Sequence, residues 1–164
     1  MSIATSMSIR PAQVEDAGNI SALINSLAGH FTLHPEGLGA EEFLQSIQPD
    51  AIAERIQSKD YAYFVGTIDS YLEGVVAIRE GKQLYHLFVS PEHQRRGVAA
   101  QLWQYAQQQT LASNQVDEFT VNATPYAVPV YERFGFVVAG DRVERKGIAY
   151  VPMVLKINNA ICDI

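Results

Sequence analysis

The run Leu87-Phe88-Val89-Ser90-Pro91-Glu92-His93-Gln94-Arg95-Arg96-Gly97-Val98-Ala99 constrains the fold more than any other part of the chain. Apolar residues from Gln83 to Val89 predict a strand, and Pro91 stops it. Gly97 then opens a helix whose buried stripe is Val98, Ala99, Leu102, Trp103 and Ala106. A further short strand over Phe119 to Asn122 makes that helix a crossover between parallel strands. The first amides of a helix have no internal partner, and its macrodipole places partial positive charge there. A pyrophosphate satisfies both conditions. Gly97 lets a phosphate approach the main chain with no Cβ in the way, and Ala99 carries the smallest side chain otherwise available. Arg95 and Arg96 add mobile positive charge. Alone, the two arginines equally describe a solvated turn.

Around this centre the pattern predicts β-α-α-β-β-β-α-β-α-β-β, an α+β plan with a meander of strands followed by the crossover. Ser8 to Pro11 reads as an opening strand. Ala17, Ile20, Ile24, Leu27 and Ala28 recur at helical spacing behind Asp16, which can cap the first turn, and Gly29 ends that helix. His30 to Gly39 reads as a loop. Phe43, Leu44 and Ile47 begin a second helical region that Pro49 interrupts and Ala51, Ile52 and Ile56 continue. Tyr61 to Ile68 and Tyr71 to Arg79 form a hairpin about Asp69-Ser70. Tyr126 to Phe134 is a short helix stopped by Gly135. Phe136 to Glu144 and Ile148 to Ile157 read as a closing hairpin turning at Arg145-Lys146-Gly147.

Bulk properties bound the partners. A chain of 164 residues without repeat or linker reads as one domain over residues 8–157, with tails at 1–7 and 158–164; translation from Met7 instead of Met1 would cost the fold nothing. The net charge of −6 argues against nucleic acid, which needs clustered Lys and Arg. No apolar run approaches the length of a membrane span, and the N-terminus lacks the pattern of a signal peptide. The single cysteine, Cys162, has no internal disulfide partner, which points to a reducing cytoplasm.

A second segment completes the picture. Gln94-Arg95-Arg96-Gly97-Val98-Ala99 resembles the acetyl-CoA loop of the GNAT acetyltransferases, written Gln/Arg-x-x-Gly-x-Gly/Ala. Downstream, Asn122, Ala127 and Tyr131-Glu132-Arg133-Phe134-Gly135-Phe136 resemble that family's Asn…Ala…Tyr-Glu-x-x-Gly-Phe segment. Gly147 to Met153 is similar to its closing strand. The resemblance implies a mixed, mostly antiparallel twisted sheet with splayed central strands, flanked by about four helices. It implies acetyl-CoA as co-substrate, held by Phe88, Val89, Gln94, Arg95, Arg96, Gly97, Val98, Ala99 and Asn122. The pantetheine arm would pair with the main chain of Phe88 and Val89 in the gap between the strands ending at Val89 and Asn122, and the Val89 amide would polarise the thioester carbonyl. Tyr131 would reach the coenzyme sulfur; the plainer reading is an aromatic that packs the last helix on the sheet.

His86 is the candidate base for the attacking amine, because alternation puts it on the face of Leu84 and Phe88 and imidazole titrates near neutrality. A histidine hydrogen-bonded inside a sheet is the equal alternative. Glu73 and Glu80 are weaker choices. His30, His34 and Glu36 lie on a loop where their spacing carries no metal signature, so no metal is expected and only an acceptor-pocket role is kept. Tyr61, Tyr63, Phe64 and Trp103 read as core. The resulting expectation is direct acetyl transfer to a primary amine of a small molecule or peptide, with a homodimer suggested by analogy. A non-catalytic acetyl-CoA sensor is the alternative. A P-loop enzyme is a poor third, since no Lys-Ser/Thr pair follows the glycine.

Overall fold

A computed structural model describes residues 6–157; Met1 and Cys162 lie outside them. The strands are β1 (Ser8–Pro11), β2 (Tyr61–Ile68), β3 (Tyr71–Arg79), β4 (Gln83–Val89), β5 (Glu118–Ala123), β6 (Val137–Val138), β7 (Val143–Arg145) and β8 (Ile148–Lys156). The helices are α1 (Ala17–Leu27), α2 (Glu41–Ser46), α3 (Pro49–Gln57), α4 (Val98–Ser113) and α5 (Val128–Arg133). One mixed sheet runs β1-β2-β3-β4-β5-β8-β6, with β7 also paired to β8. Every pairing is antiparallel except β4 with β5.

That parallel pair is short. Gln83 and Leu84 pair with Thr120 and Val121, and beyond Leu84 the two strands part. Strand alternation sorts the rest of the sheet into two cores. Phe64, Val76, Ile78 and Leu84 face α4, whose Leu102 and Ala106 are fully buried and whose Trp103 meets Phe119 edge-on at 5.0 Å. Tyr63, Val65, Val75 and Ala77 face α1 and α3, with Ile20, Ile24 and Ile52 fully buried there. The helical stripe expected on α1 is the buried one.

Three local expectations are corrected. Asp16 does not cap α1; its carboxylate accepts from the Arg10 guanidinium at 2.8 and 2.9 Å and from the Gln13 amide, which closes a 3-10 turn ahead of the helix. Arg10 also holds the Asp16 carboxyl below its usual range. The closing hairpin is not continuous on its first arm. β6 and β7 pair separately with β8; Ala139 N still donates to Pro152 O at 2.8 Å, and Gly140 to Arg142 loops out between them.

The third correction concerns His86. Ala77 pairs with His86 but Ile78 pairs with Leu84, so Tyr85 is an extra residue in β4, a bulge that resets the alternation. Leu84 therefore faces α4, whereas Tyr85, His86 and Phe88 turn to the α1 side. His86 shares a face with Phe88 but not with Leu84. Its Nδ1 lies 3.3 Å from the Tyr63 hydroxyl, which accepts a hydrogen bond from Arg55 Nε at 3.0 Å. With Arg55 donating to its oxygen, the phenol has its own proton to give to a neutral imidazole. Burial foremost, and the Arg55 charge second, push the His86 pKa down to about 3.

A close backbone approach ties the far loop to the sheet. Gly147, in the β7–β8 turn at φ +80°, lies against Gly39 and Ala40; a Cβ built on it would sit 2.4 Å from the Gly39 carbonyl carbon. Leu33 N donates to Gly147 O at 2.8 Å, and Thr32 bridges to Ile148. The loop after α1 is thereby fixed over the open end of the sheet.

Two stability tests follow from this packing. Gly147→Ala adds both a positive-φ penalty and a clash with main chain that has no rotamer to yield, so it should cost about 2 kcal/mol or more in urea unfolding. His86 binds a proton more readily unfolded than folded, so its contribution is complete above its unfolded pKa and fades as pH falls from about 6.5 toward 3. Wild type should lose about 2 kcal/mol between pH 8 and pH 5 through this group, and His86→Phe should flatten that slope.

Candidate active site

The parting of β4 and β5 leaves main chain without a strand partner. Ser90 N donates to Glu73 O at 2.9 Å, so Ser90 faces β3, and alternation turns the N–H and carbonyl of Val89 the other way, into the gap. The same alternation turns the main chain of Phe88 toward β3 and that of Leu87 into the gap. The expectation that Phe88 and Val89 both offer free main chain is thus adjusted by one residue: Leu87 and Val89 offer it, while Phe88 contributes its ring. The Val89 carbonyl already accepts the Gln94 side-chain amide at 3.0 Å, which leaves its N–H as the open group.

A cleft of about 1020 Å³ opens from this gap, between α4 and α5. Phe88, Val89, Gln94, Arg95, Gly97 and Ala99 all line it, together with Tyr131. Gly97 is the N-cap of the 16-residue α4 at φ +79°, a conformation that favours glycine, and beyond its chain neighbours no described atom lies within 4 Å of where its Cβ would be. No acidic residue occupies the first turn of α4, so its amides keep their positive potential. Arg133, which the sequence reading passed over, adds a second cation to the lining. Arg96 and Val98 do not line the cleft: Arg96 is exposed, and Val98 packs in the core under α4.

The loop before Gly97 is braced. Glu73 accepts from the Ser90 hydroxyl and lies 3.8 Å from His93 Nε2, and Glu73, Glu92 and His93 bring one side-chain oxygen or nitrogen each within 4.8 Å of one another. Glu73 is therefore not a solvated strand-end carboxylate but an anchor for the β4–α4 turn.

A second hollow of about 90 Å³ lies on the α1 side of the gap and shares Leu27, Leu87, Phe88, Tyr126, Ala127 and Tyr131 with the cleft. Asn122 lines this hollow and not the cleft, because β5 turns Phe119, Val121 and Ala123 to the core and Asn122 to the opposite face. Tyr131 stands where the two spaces meet. It is 8% exposed, packed edge-on against Phe134 and Phe136, and burial holds its hydroxyl pKa well above the ordinary tyrosine value, so it stays protonated. His86 lines neither space. His30 stacks on Tyr126 at the rim, 5.6 Å between ring centroids, while His34 and Glu36 line neither space. Leu27 and Tyr126 escaped the sequence reading. α1 periodicity marks Leu27 only as core, and Tyr126 lay unremarked inside the second motif segment.

Among the described residues no helix is long and apolar enough to cross a membrane. The structure is similar to the PaiA N-acetyltransferase of Thermoplasma acidophilum in complex with coenzyme A, with a TM-score of 0.75 and 18% identity over 93% of this chain and 99% of that one. It is similar to a GNAT-family acetyltransferase of Streptococcus pneumoniae, at 0.67 and 20% over 93% and 100%. A spermidine N-acetyltransferase mutant of Vibrio cholerae gives 0.67 and 19% over 92% and 93%. At such identities these likenesses establish the fold. No curated protein matches the chain. The model of the acetyltransferase (GNAT) domain matches residues 31–157, from the loop after α1 through β8, and the chain belongs to that family.

Proposed function

We propose that the protein transfers an acetyl group from acetyl-CoA to a primary amine by direct attack, with both substrates bound together. The observation that carries this reading is the convergence, in one gap, of the free Val89 N–H, the α4 N-terminus behind Gly97 and the Tyr131 hydroxyl. The residues suit the co-substrate. The amides at the head of α4, with Arg95 and Arg133, would hold its phosphates, and Leu87 and Val89 offer main-chain partners to the pantetheine arm.

In this reading the amine nitrogen attacks the thioester carbonyl carbon, the carbon–sulfur bond breaks, and coenzyme A leaves as the thiol. The Val89 N–H donates to the carbonyl oxygen as charge builds on it. Tyr131 gives its proton to the departing sulfur. Its raised pKa makes it a weaker acid, but the same low-dielectric setting raises the basicity of the thiolate, so proton transfer stays matched. The amine proton leaves to water, and water returns one to the Tyr131 phenolate. His86, neutral and enclosed, supports the Tyr63–Tyr85 wall and takes no proton from the amine.

Gly97→Glu should lower acetyl-CoA affinity at least about tenfold by calorimetry, because it sets bulk and negative charge at the helix head. Gly97→Asn, whose residue tolerates positive φ, should stay within a few-fold of wild type. Equal affinity for the Glu variant would remove the phosphate assignment. Tyr131→Phe keeps the ring packing and should lower kcat by about 10²-fold or more at saturating acetyl-CoA with little change in its affinity. Undiminished kcat would leave Tyr131 as packing, and wild-type binding of acetyl-CoA without thiol release on any amine would make the protein a sensor.

A further inference from the structure

Resting on the acetyl-transfer reading above, we infer that the small hollow on the α1 side of the gap receives the acceptor, and that the acceptor is an apolar monoamine. A short alkylamine or arylalkylamine without a second charge meets that description. The hollow adjoins Tyr131 from the side opposite the coenzyme cleft, so an amine seated there meets the thioester across the gap. The hollow is small, about 90 Å³ against about 1020 Å³ for the cleft. That suits a short chain or one ring and not a peptide.

The lining decides the chemical class. Leu27, Phe31, Tyr85, Phe88 and Tyr126 form the walls, and the polar groups offered are the neutral ones of Asn122, Thr124 and the tyrosines. Among the described residues no Asp or Glu lines the hollow, although the chain as a whole is acidic at −6. A second ammonium would lie there without a counter-ion, which is a heavy penalty in a low-dielectric space. Nor are the rings of Tyr85 and Phe88 open to serve as a cation cage. The Arg55 guanidinium already lies 5.5 Å from the Tyr85 ring centroid, and Phe88 is packed by Phe31 and His86. Arg55 itself pairs with no carboxylate among the described residues; it bonds the Tyr63 hydroxyl and the Ser46 carbonyl. Its positive potential reaches the β4 wall, where it disfavours protonation of His86 and would equally disfavour a bound dication.

The test uses amines of matched length and basicity with the full-length protein at saturating acetyl-CoA, following thiol release. Hexylamine and phenethylamine should exceed 1,6-diaminohexane and spermidine in kcat/KM by about 100-fold, despite the diamine's two equivalent ends. The arm with 6-aminohexanoate should also fall below hexylamine, since among the described residues no Lys or Arg lines the hollow to pair with its carboxylate. Tyr126→Glu, at an exposed rim position, should raise the ratio of diamine to hexylamine about tenfold by supplying the missing counter-ion. Equal or better use of diamine, spermidine or aminohexanoate by the wild type would overturn the acceptor class while leaving acetyl transfer intact. Thiol release with none of the amines would overturn the transfer reading itself.

Discussion

The two parallel strands at the centre of this sheet pair over Gln83–Leu84 and Thr120–Val121 and then separate, and the site exists because they do. A sheet that stayed closed would satisfy the Leu87 and Val89 main chain internally and leave no space between α4 and α5. The separation needs filling on each side. Toward α4 it is propped by Trp103 against Phe119 and Phe136, and toward α1 by the aromatic cluster of Tyr61, Tyr63, Tyr85 and Phe88. Both props are large rings, which span a gap with little conformational entropy to lose.

The bulge at Tyr85 belongs to the same constraint. One extra residue in β4 increases its local twist and turns the strand end away from β5. It also places Tyr85 and His86 consecutively on one face, where neither could both be under strict alternation. The Arg55–Tyr63–His86 chain of hydrogen bonds ties these side chains together, and among the described residues no buried side-chain nitrogen or oxygen is left without a partner. Function and core packing are therefore not separable on this strand. The residue that looks most like a base is the one that holds the wall in shape.

Much of this was legible from residues near one another in the chain. Pro91, Gly97 and the apolar stripe of α4 announce the strand–turn–helix, and Tyr131 through Phe136 announce the last helix and its stop. What was not legible depends on registry between distant segments. Nothing in Leu84-Tyr85-His86 marks a bulge, since both faces of β4 take apolar or aromatic residues and either alternation looks satisfied. Asp16 resembles a helix cap until Arg10 is seen to claim it. Gly147 reads as an ordinary turn glycine, whereas its main use is the contact with Gly39, more than a hundred residues earlier. The acceptor side is assembled wholly from such distant pieces: α1 end, β4 bulge, β5 end and the turn into α5.

This division has a physical consequence for specificity. The coenzyme side is built from main-chain amides, a glycine and a helix end, features that tolerate little change in residue type. The proposed acceptor side is built from side chains on distant elements, joined through the Gly147–Gly39 approach and the loop after α1, and two of them, Tyr85 and Phe88, also prop the parted strands. A carboxylate there would invite polycations; in the proposed reading its absence among the described residues, together with the Arg55 charge behind Tyr85, disfavours them. The net negative charge of the molecule draws amines of every kind toward the protein by long-range attraction, whereas in the proposed reading selection occurs where water is removed. At that point the unpaired charge, and not the net charge, sets the preference.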